Sequence, residues 1–224
     1  MPFTLPAHWP DNATDAAVMQ KELRHKVRVE DAFGPPRTIA GVDVGFDTVR
    51  NEAKASIVLL DAGTLAVKAQ VTTHQAVSFP YIPGFLSFRE IPVLLRALSQ
   101  LPEVPDMLMV DGHGIAHPRR FGIAAHLGVV TGLPGIGVAK SLLCGTYQEP
   151  GLEKGDTSLL MHKGEKIGTV LRSKDNVKPL FISPGHRVSH DTAVAWVLKC
   201  LTKYRLPEPT RLADKYSKTL KTLL

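Results

Sequence analysis

The chain has 224 residues, 44% hydrophobic and 21% charged, with 27 Lys and Arg against 21 Asp and Glu, for a formal net charge of +6. That length supports one sizeable core, the composition excludes a disordered chain, and no apolar run reaches the roughly 18 residues of a membrane span. The N-terminus lacks a basic region followed by an apolar one, and Cys144 and Cys200 stand in unrelated contexts. The expectation is therefore a cytoplasmic protein with reduced thiols, monomeric and without a membrane partner. The basic excess favours an anionic partner, and basic residues gather at Lys21, Arg24, Lys26 and Arg28, at Arg119-Arg120 and from Lys199 onward.

In chain order, residues 1–12 read as irregular, and a helix is predicted from about Asn12 to Val29 with Asn12 or Thr14 as its cap. Glu30–Pro36 is a loop. Three strand-like runs follow, Thr38–Phe46, Ala55–Leu60 and Leu65–Val77, the last two joined by the turn Asp61-Ala-Gly63. Ser78–Gly84 is a proline-stiffened loop. Phe85–Leu101 is helical in period, with Pro92 tolerable only in a first turn or at a kink. A strand at Met107–Asp111, a helix from about Arg119 to Val130 and a strand at Gly135–Ala139 come next. Leu159–His162 and Ile167–Arg172 form a hairpin, Pro179–Ser183 a strand, His190–Tyr204 a helix, and Pro207–Asp214 leads into a basic terminal helix. The whole of 1–224 reads as a single domain. Its order predicts an α/β fold with a ribonuclease H-like core: a mixed five-stranded sheet, three antiparallel strands then parallel ones, flanked by helices, with an extra C-terminal hairpin and helices.

Aspartate is depleted in strands and costly to bury unpaired, yet two apolar strands each carry one, Asp43 and Asp111. Glu90 lies early in the first core helix and Asp214 near the start of the last. Any one of these acids alone is better explained as a surface or capping residue. Brought together, four carboxylates would repel one another unless a cation held them, and hard oxygen ligands select Mg²⁺ or Mn²⁺. Such a site hydrolyses phosphodiesters. Lys140, just past the strand Gly135–Ala139, would meet the same sheet edge and neutralise charge on the phosphate. His113, His117, His126 and His186 are polar candidates nearby. His117-Pro-Arg119 could contact phosphate or base, although a structural role is the safer reading of any one histidine. Phe79-Pro-Tyr-Ile-Pro-Gly84 holds Tyr81 and Ile82 between Pro80 and Pro83, and stiff apolar tips of this kind enter base steps. A proline-stiffened turn packed on the core is the plainer alternative.

Several ordered blocks make the chain similar to the endonuclease V, or deoxyinosine 3′-endonuclease, family. They are Gly-Val-Asp-Val at 41–44, Phe-Pro-Tyr-Ile-Pro-Gly at 79–84, Phe-Arg-Glu at 88–90 and Asp-Gly-His-Gly-Ile-Ala-His-Pro-Arg at 111–119. Gly-Val-Ala-Lys-Ser at 137–141, Ser-Pro-Gly-His at 183–186 and Pro-Glu-Pro-Thr-Arg at 207–211 complete the set. The resemblance implies a DNA repair enzyme that nicks strands containing deoxyinosine, single- or double-stranded. It would cut the second phosphodiester on the 3′ side with Mg²⁺ (Mn²⁺ substituting) and leave 3′-hydroxyl and 5′-phosphate ends. It further implies Asp43 and Asp111 as metal ligands, Glu90 as a third acid on the metal or its water, and Lys140 as the active-site lysine. Tyr81 would be the wedge, and Gly84, Leu86, Gly112 and Ile123 would line the base pocket. Some members carry histidine where this chain has Asp214, so that residue's part in catalysis stays open. Inosine-containing RNA is the alternative substrate. An actin-like kinase would need a second such domain, and a non-catalytic nucleic-acid binder would gain nothing from four carboxylates beside phosphates.

Overall fold

The computed structural model describes residues 3–218. The first helix, α1 (Ala13–Arg24), is capped by Asn12, whose side chain accepts from the Asp15 N–H at 3.0 Å. It stops short of the expected Val29 because the next segment bonds elsewhere. The Arg28 carbonyl accepts from the Arg187 N–H at 2.7 Å, and the Arg28 N–H donates to His186 Nδ1 at 3.3 Å.

Along β1 (Thr38–Asp47) successive side chains enter different cores, Ile39 on one face and Ala40 and Val42 on the other. This is the signature of a strand covered by helices on both sides. β2 (Glu52–Asp61) and β3 (Val67–Ala76) continue antiparallel from it. α2 (Ser87–Leu98) carries Pro92 in its interior, beyond the first turn. The carbonyl that Pro92 cannot serve, that of Phe88, accepts from the indole N–H of Trp9 at 3.2 Å. A residue 79 positions upstream in the irregular N-terminal segment thus completes the helix.

β4 (Met107–Asp111) runs parallel to β1, and α3 (Ile123–Thr131) leads to β5 (Gly135–Ala139), parallel to β4. α3 begins later than expected because Arg120 adopts φ +59° and the Gly122 N–H turns back to the Gly114 carbonyl. β6 (Thr157–His162) and β7 (Glu165–Leu171) form the expected hairpin, but it is not an appendage. β8 (Leu180–His186) pairs antiparallel with β5 on one side and β7 on the other. The result is one eight-stranded mixed sheet, β3-β2-β1-β4-β5-β8-β7-β6, in place of the five expected. An open β5 edge would leave a row of unpaired backbone groups, and β8 covers it.

α4 (His190–Lys199) and α5 (Glu208–Lys218) complete the chain. α4 ends before the expected Tyr204: its capping residue Cys200 accepts the Glu208 N–H at 2.9 Å, which turns the chain into α5. α2 and α3 cover the sheet face that carries Ala40, Val42, Leu108 and Val110. α4 and α5 cover the face with Ile39, Met107, Met109 and Val138. Both cysteines are free thiols, and no helix among the described residues is long and apolar enough to cross a membrane.

Candidate active site

The pairing register explains why two aspartates 68 positions apart meet. In the parallel β1–β4 pair, Val42 lies opposite Val110, so Asp43 and Asp111, each one residue on, stand level on the other face. That face is the one α5 covers, and α5 brings Asp214. Carboxylate oxygens of Asp43, Asp111 and Asp214 all lie within 4.8 Å of one another. Asp111 pairs with Val138 of β5, and Lys140, two residues further, falls on the same side. Its ammonium stands 2.5 Å from Asp111 Oδ2 and donates to Asp214 Oδ1. Lys218, one turn beyond Asp214, donates to both of that residue's carboxylate oxygens at 2.7 and 2.8 Å.

Glu90 sits outside this three-oxygen group because it comes from α2, on the opposite face of the sheet. It nevertheless feels the group. Burial, then the charges of Asp43 and Asp111, push its carboxyl up to about 8. Burial and the Asp43 charge push Asp111 up to about 6, against the pull of Lys140. For Lys140, burial opposes the charge, but Asp111 and Asp214 outweigh it and hold the ammonium above its ordinary range. Burial likewise raises Asp214, yet Lys140 and Lys218 win and hold it below the usual carboxylate range. Asp111 Oδ2 is buried, and the Lys140 ammonium is its charged partner. Three hard oxygens that converge beside a single shared ammonium fit a divalent cation.

The loop after β3 divides its two tips. Tyr81 is 69% exposed and Pro80 and Pro83 are exposed, whereas Ile82 turns in against the buried cluster of Ala16, Phe79, Phe85 and Phe88. The Arg89 guanidinium lies 5.8 Å from the Tyr81 ring centroid and 5.0 Å from that of Phe46, and this braces the exposed ring. Gly84 and Gly112 both have positive φ, at +84° and +151°. A side chain at Gly84 would come within 2.7 Å of Arg119 Nη1, and one at Gly112 within 2.5 Å of Ile123 Cγ2. Glycine is therefore favoured at both positions, by backbone conformation and by the side chain packed where a Cβ would stand. Leu86, the residue that precedes α2, is 36% exposed. His117 is only 5% exposed, and its Nδ1 accepts from the Arg119 N–H at 3.1 Å, which shapes the turn that projects Arg119 outward. Burial brings His113 and His117 down to about 4, so both rings are neutral at physiological pH. His126 is wholly buried against Ser87, and His186 holds the residue-28 segment to β8.

A family model described as Endonuclease V matches residues 21–215. The chain belongs to the endonuclease V family. The endonuclease V of Azotobacter vinelandii is 55% identical over 96% of this chain and 97% of its own length. Among solved structures, the endonuclease V of Streptomyces avermitilis superposes with a TM-score of 0.90 at 46% identity, covering 97% of this chain and 96% of that one. An endonuclease V from Ciona intestinalis, in complex with a 24mer DNA containing an inosine followed by a ribo-adenosine, gives 0.80 at 31% identity over 92% and 95%. A member of the endonuclease V family is a metal-dependent nuclease, and the Asp43, Asp111 and Asp214 triad could hold a divalent ion.

Two residues of this endonuclease V-family chain were not singled out by the sequence. Ser217 Oγ donates to Asp43 Oδ2, and its place three residues after Asp214 on one helix face was the available signal. Arg205 donates from Nη2 to the carbonyls of Lys140 (2.9 Å) and Pro179 (2.8 Å) and from Nε to that of Lys178. It fixes the backbone from which Lys140 projects. Nothing in the irregular stretch after α4 marked it.

Proposed function

We propose that this protein is an inosine-directed endonuclease whose catalytic groups are Asp43, Glu90, Asp111, Lys140 and Asp214. The observation that carries this reading is the convergence of three carboxylates beside Lys140 at one sheet edge. Asp43, Asp111 and Asp214 would hold Mg²⁺, with Mn²⁺ able to substitute, and Glu90, which feels the Asp43 and Asp111 charges from α2, would act on the ion or its water. When bound, the cation supplies Lewis acidity toward the attacking water and the leaving oxygen. Lys140 is positioned to offer its charge to a phosphoryl oxygen as negative charge develops there. Burial and the Asp43 and Asp111 charges raise the Glu90 carboxyl to about 8, and a cation that neutralised those charges would favour its ionised form.

Tyr81, with Pro80, Ile82 and Pro83 around it, supplies the wedge. Gly84, Leu86, Gly112 and Ile123 supply a pocket in which backbone groups read a single everted base. His117 and Arg119 shape and present the adjoining contact to the strand. The substrate is DNA containing deoxyinosine, single- or double-stranded, cut at the second phosphodiester 3′ to the lesion to leave 3′-hydroxyl and 5′-phosphate ends. The ribo-adenosine in the DNA bound to the Ciona protein keeps inosine-containing RNA as a second reading for this chain. The first five strands, three antiparallel then two parallel, support a ribonuclease H-like core. One continuous sheet supports treating 1–224 as one domain, and two free thiols fit a reducing cytoplasmic setting.

Matched DNA and RNA strands with and without inosine, incubated with and without Mg²⁺, test the reading. Wild-type protein should nick only inosine strands and only with the cation. Asp43→Ala and Asp111→Ala should abolish nicking while thermal unfolding stays cooperative. Near wild-type cutting by either variant would remove the metal assignment.

A further inference from the structure

We propose that the cleft between the basic face of α1 and Arg119 is a subsite for one backbone phosphate of the nucleic-acid strand that the 79–84 loop engages. The inference rests on the nuclease reading above but on none of the residues assigned to cutting. Ala17, Gln20, Lys21 and Arg24 recur at helical spacing, so they share one face of α1. Together with Arg119 they line an open cleft of about 230 Å³, and none of the triad, Glu90 or Lys140 lines it. Ala17 contributes little bulk, which leaves room for an occupant. Three cations from two separate elements face this space, and among the described residues none of them forms an ion pair with a carboxylate. The negative end of α1 accounts for Lys21 and Arg24 in its last turn, but not for a third cation brought from the β4–α3 loop.

The cleft is built as well as charged. Gln20 Nε2 donates to the Gly84 carbonyl at 3.1 Å, and Arg119 Nη1 donates to the same oxygen at 3.3 Å. The Arg119 guanidinium also lies 4.4 Å from the Phe85 ring centroid. Its fork is thus held in place by a single nitrogen and a stacking face, which spares the remaining donors for an acceptor in the cleft. The shared carbonyl belongs to Gly84, the last residue of the wedge loop. A strand whose base is displaced by Tyr81 therefore carries its backbone past this cleft, and a phosphodiester is the anion it brings.

Lys21 and Arg24 are exposed, so Lys21→Ala/Arg24→Ala leaves the fold intact. Binding to an inosine-containing duplex is measured across a salt series without divalent cation, so that no cutting occurs. The double variant should show a slope of log K against log salt shallower by about 1. A series of duplexes with single neutral methylphosphonates then locates the contact. One position should weaken the wild type and leave the double variant unaffected. An unchanged slope, or equal sensitivity of both proteins at every position, overturns the proposal. So does loss of thermal stabilisation by inorganic phosphate with the DNA slope retained, which would mark a free-anion site. Mg²⁺-dependent nicking by the wild type is read in parallel. If it is absent while the slope falls, the nuclease reading fails and the subsite stands; if nicking is present and the slope holds, the subsite fails alone.

Discussion

Asp43 stands on a strand, where the backbone leaves more than one χ1 rotamer open. Ser217 makes that choice: its hydroxyl donates to Asp43 Oδ2 and lies 3.0 Å from the Asp214 carbonyl, so one small side chain ties two members of the triad. Groups that orient a metal ligand without touching the metal typically cost 10–100-fold in metal affinity when removed. Ser217→Ala should therefore raise the Mg²⁺ concentration for half-maximal nicking by about tenfold, with the rate recovered at saturating cation. A Mg²⁺ titration of nicking measures this, with Ser217→Thr retaining the wild-type requirement. An unchanged requirement in the alanine variant would leave Ser217 a packing residue only. Burial also holds His113, His117 and His126 below the ordinary imidazole range.

At the scale of elements, α2 shows how a local rule can be broken and repaired from a distance. Proline inside a helix strips a hydrogen bond from the carbonyl four residues earlier, and here the Trp9 indole replaces it. The Trp9 ring also packs 5.3 Å from Phe88 and 5.4 Å from His126, so the N-terminal segment and α2 stabilise each other. Trp9→Phe keeps a ring but removes the donor, and should cost about 1–2 kcal/mol. In a Pro92→Ala background the helix regains its own N–H for the Phe88 carbonyl, so the same substitution should cost less, with a coupling of at least about 0.5 kcal/mol. Urea unfolding of the four proteins reads the cycle directly. Strict additivity would show that the Trp9 N–H contributes nothing to α2.

At the scale of the whole molecule, the carboxylate triad stays together only as long as α5 lies tight on β1. Gly41 is the contact that permits it: a Cβ there would fall 1.9 Å from the Pro209 carbonyl oxygen. Gly41→Ala must lift the start of α5, and Asp214 with it, from Asp43 and Asp111. Overpacking of this kind costs roughly 1–3 kcal/mol. The expected outcome is a lower melting temperature and a smaller rise on adding Mg²⁺, because linkage to the cation weakens with the triad. Wild-type melting with and without Mg²⁺ would show that the helix can shift at no cost to the site.

The sequence by itself determined most strands and helices of the core, because short apolar runs bounded by turn residues and apolar faces of period 3.6 are legible from neighbouring residues alone. It also named the candidate groups, since Asp43, Tyr81, Asp111 and Lys140 stand in recognisable blocks of sequence, although each alone has a plainer structural reading. Helix ends were less legible: α1 and α4 both stop where backbone groups find partners far along the chain. Only the tertiary structure decided the rest. Register set Asp43 level with Asp111, sheet faces put Asp214 inside the triad and Glu90 on the other side, and β8 joined the hairpin to the sheet. These outcomes depend on contacts between distant segments, such as Ser217 with Asp43 or Arg119 with Gly84, and no local pattern of residues encodes which two segments will touch.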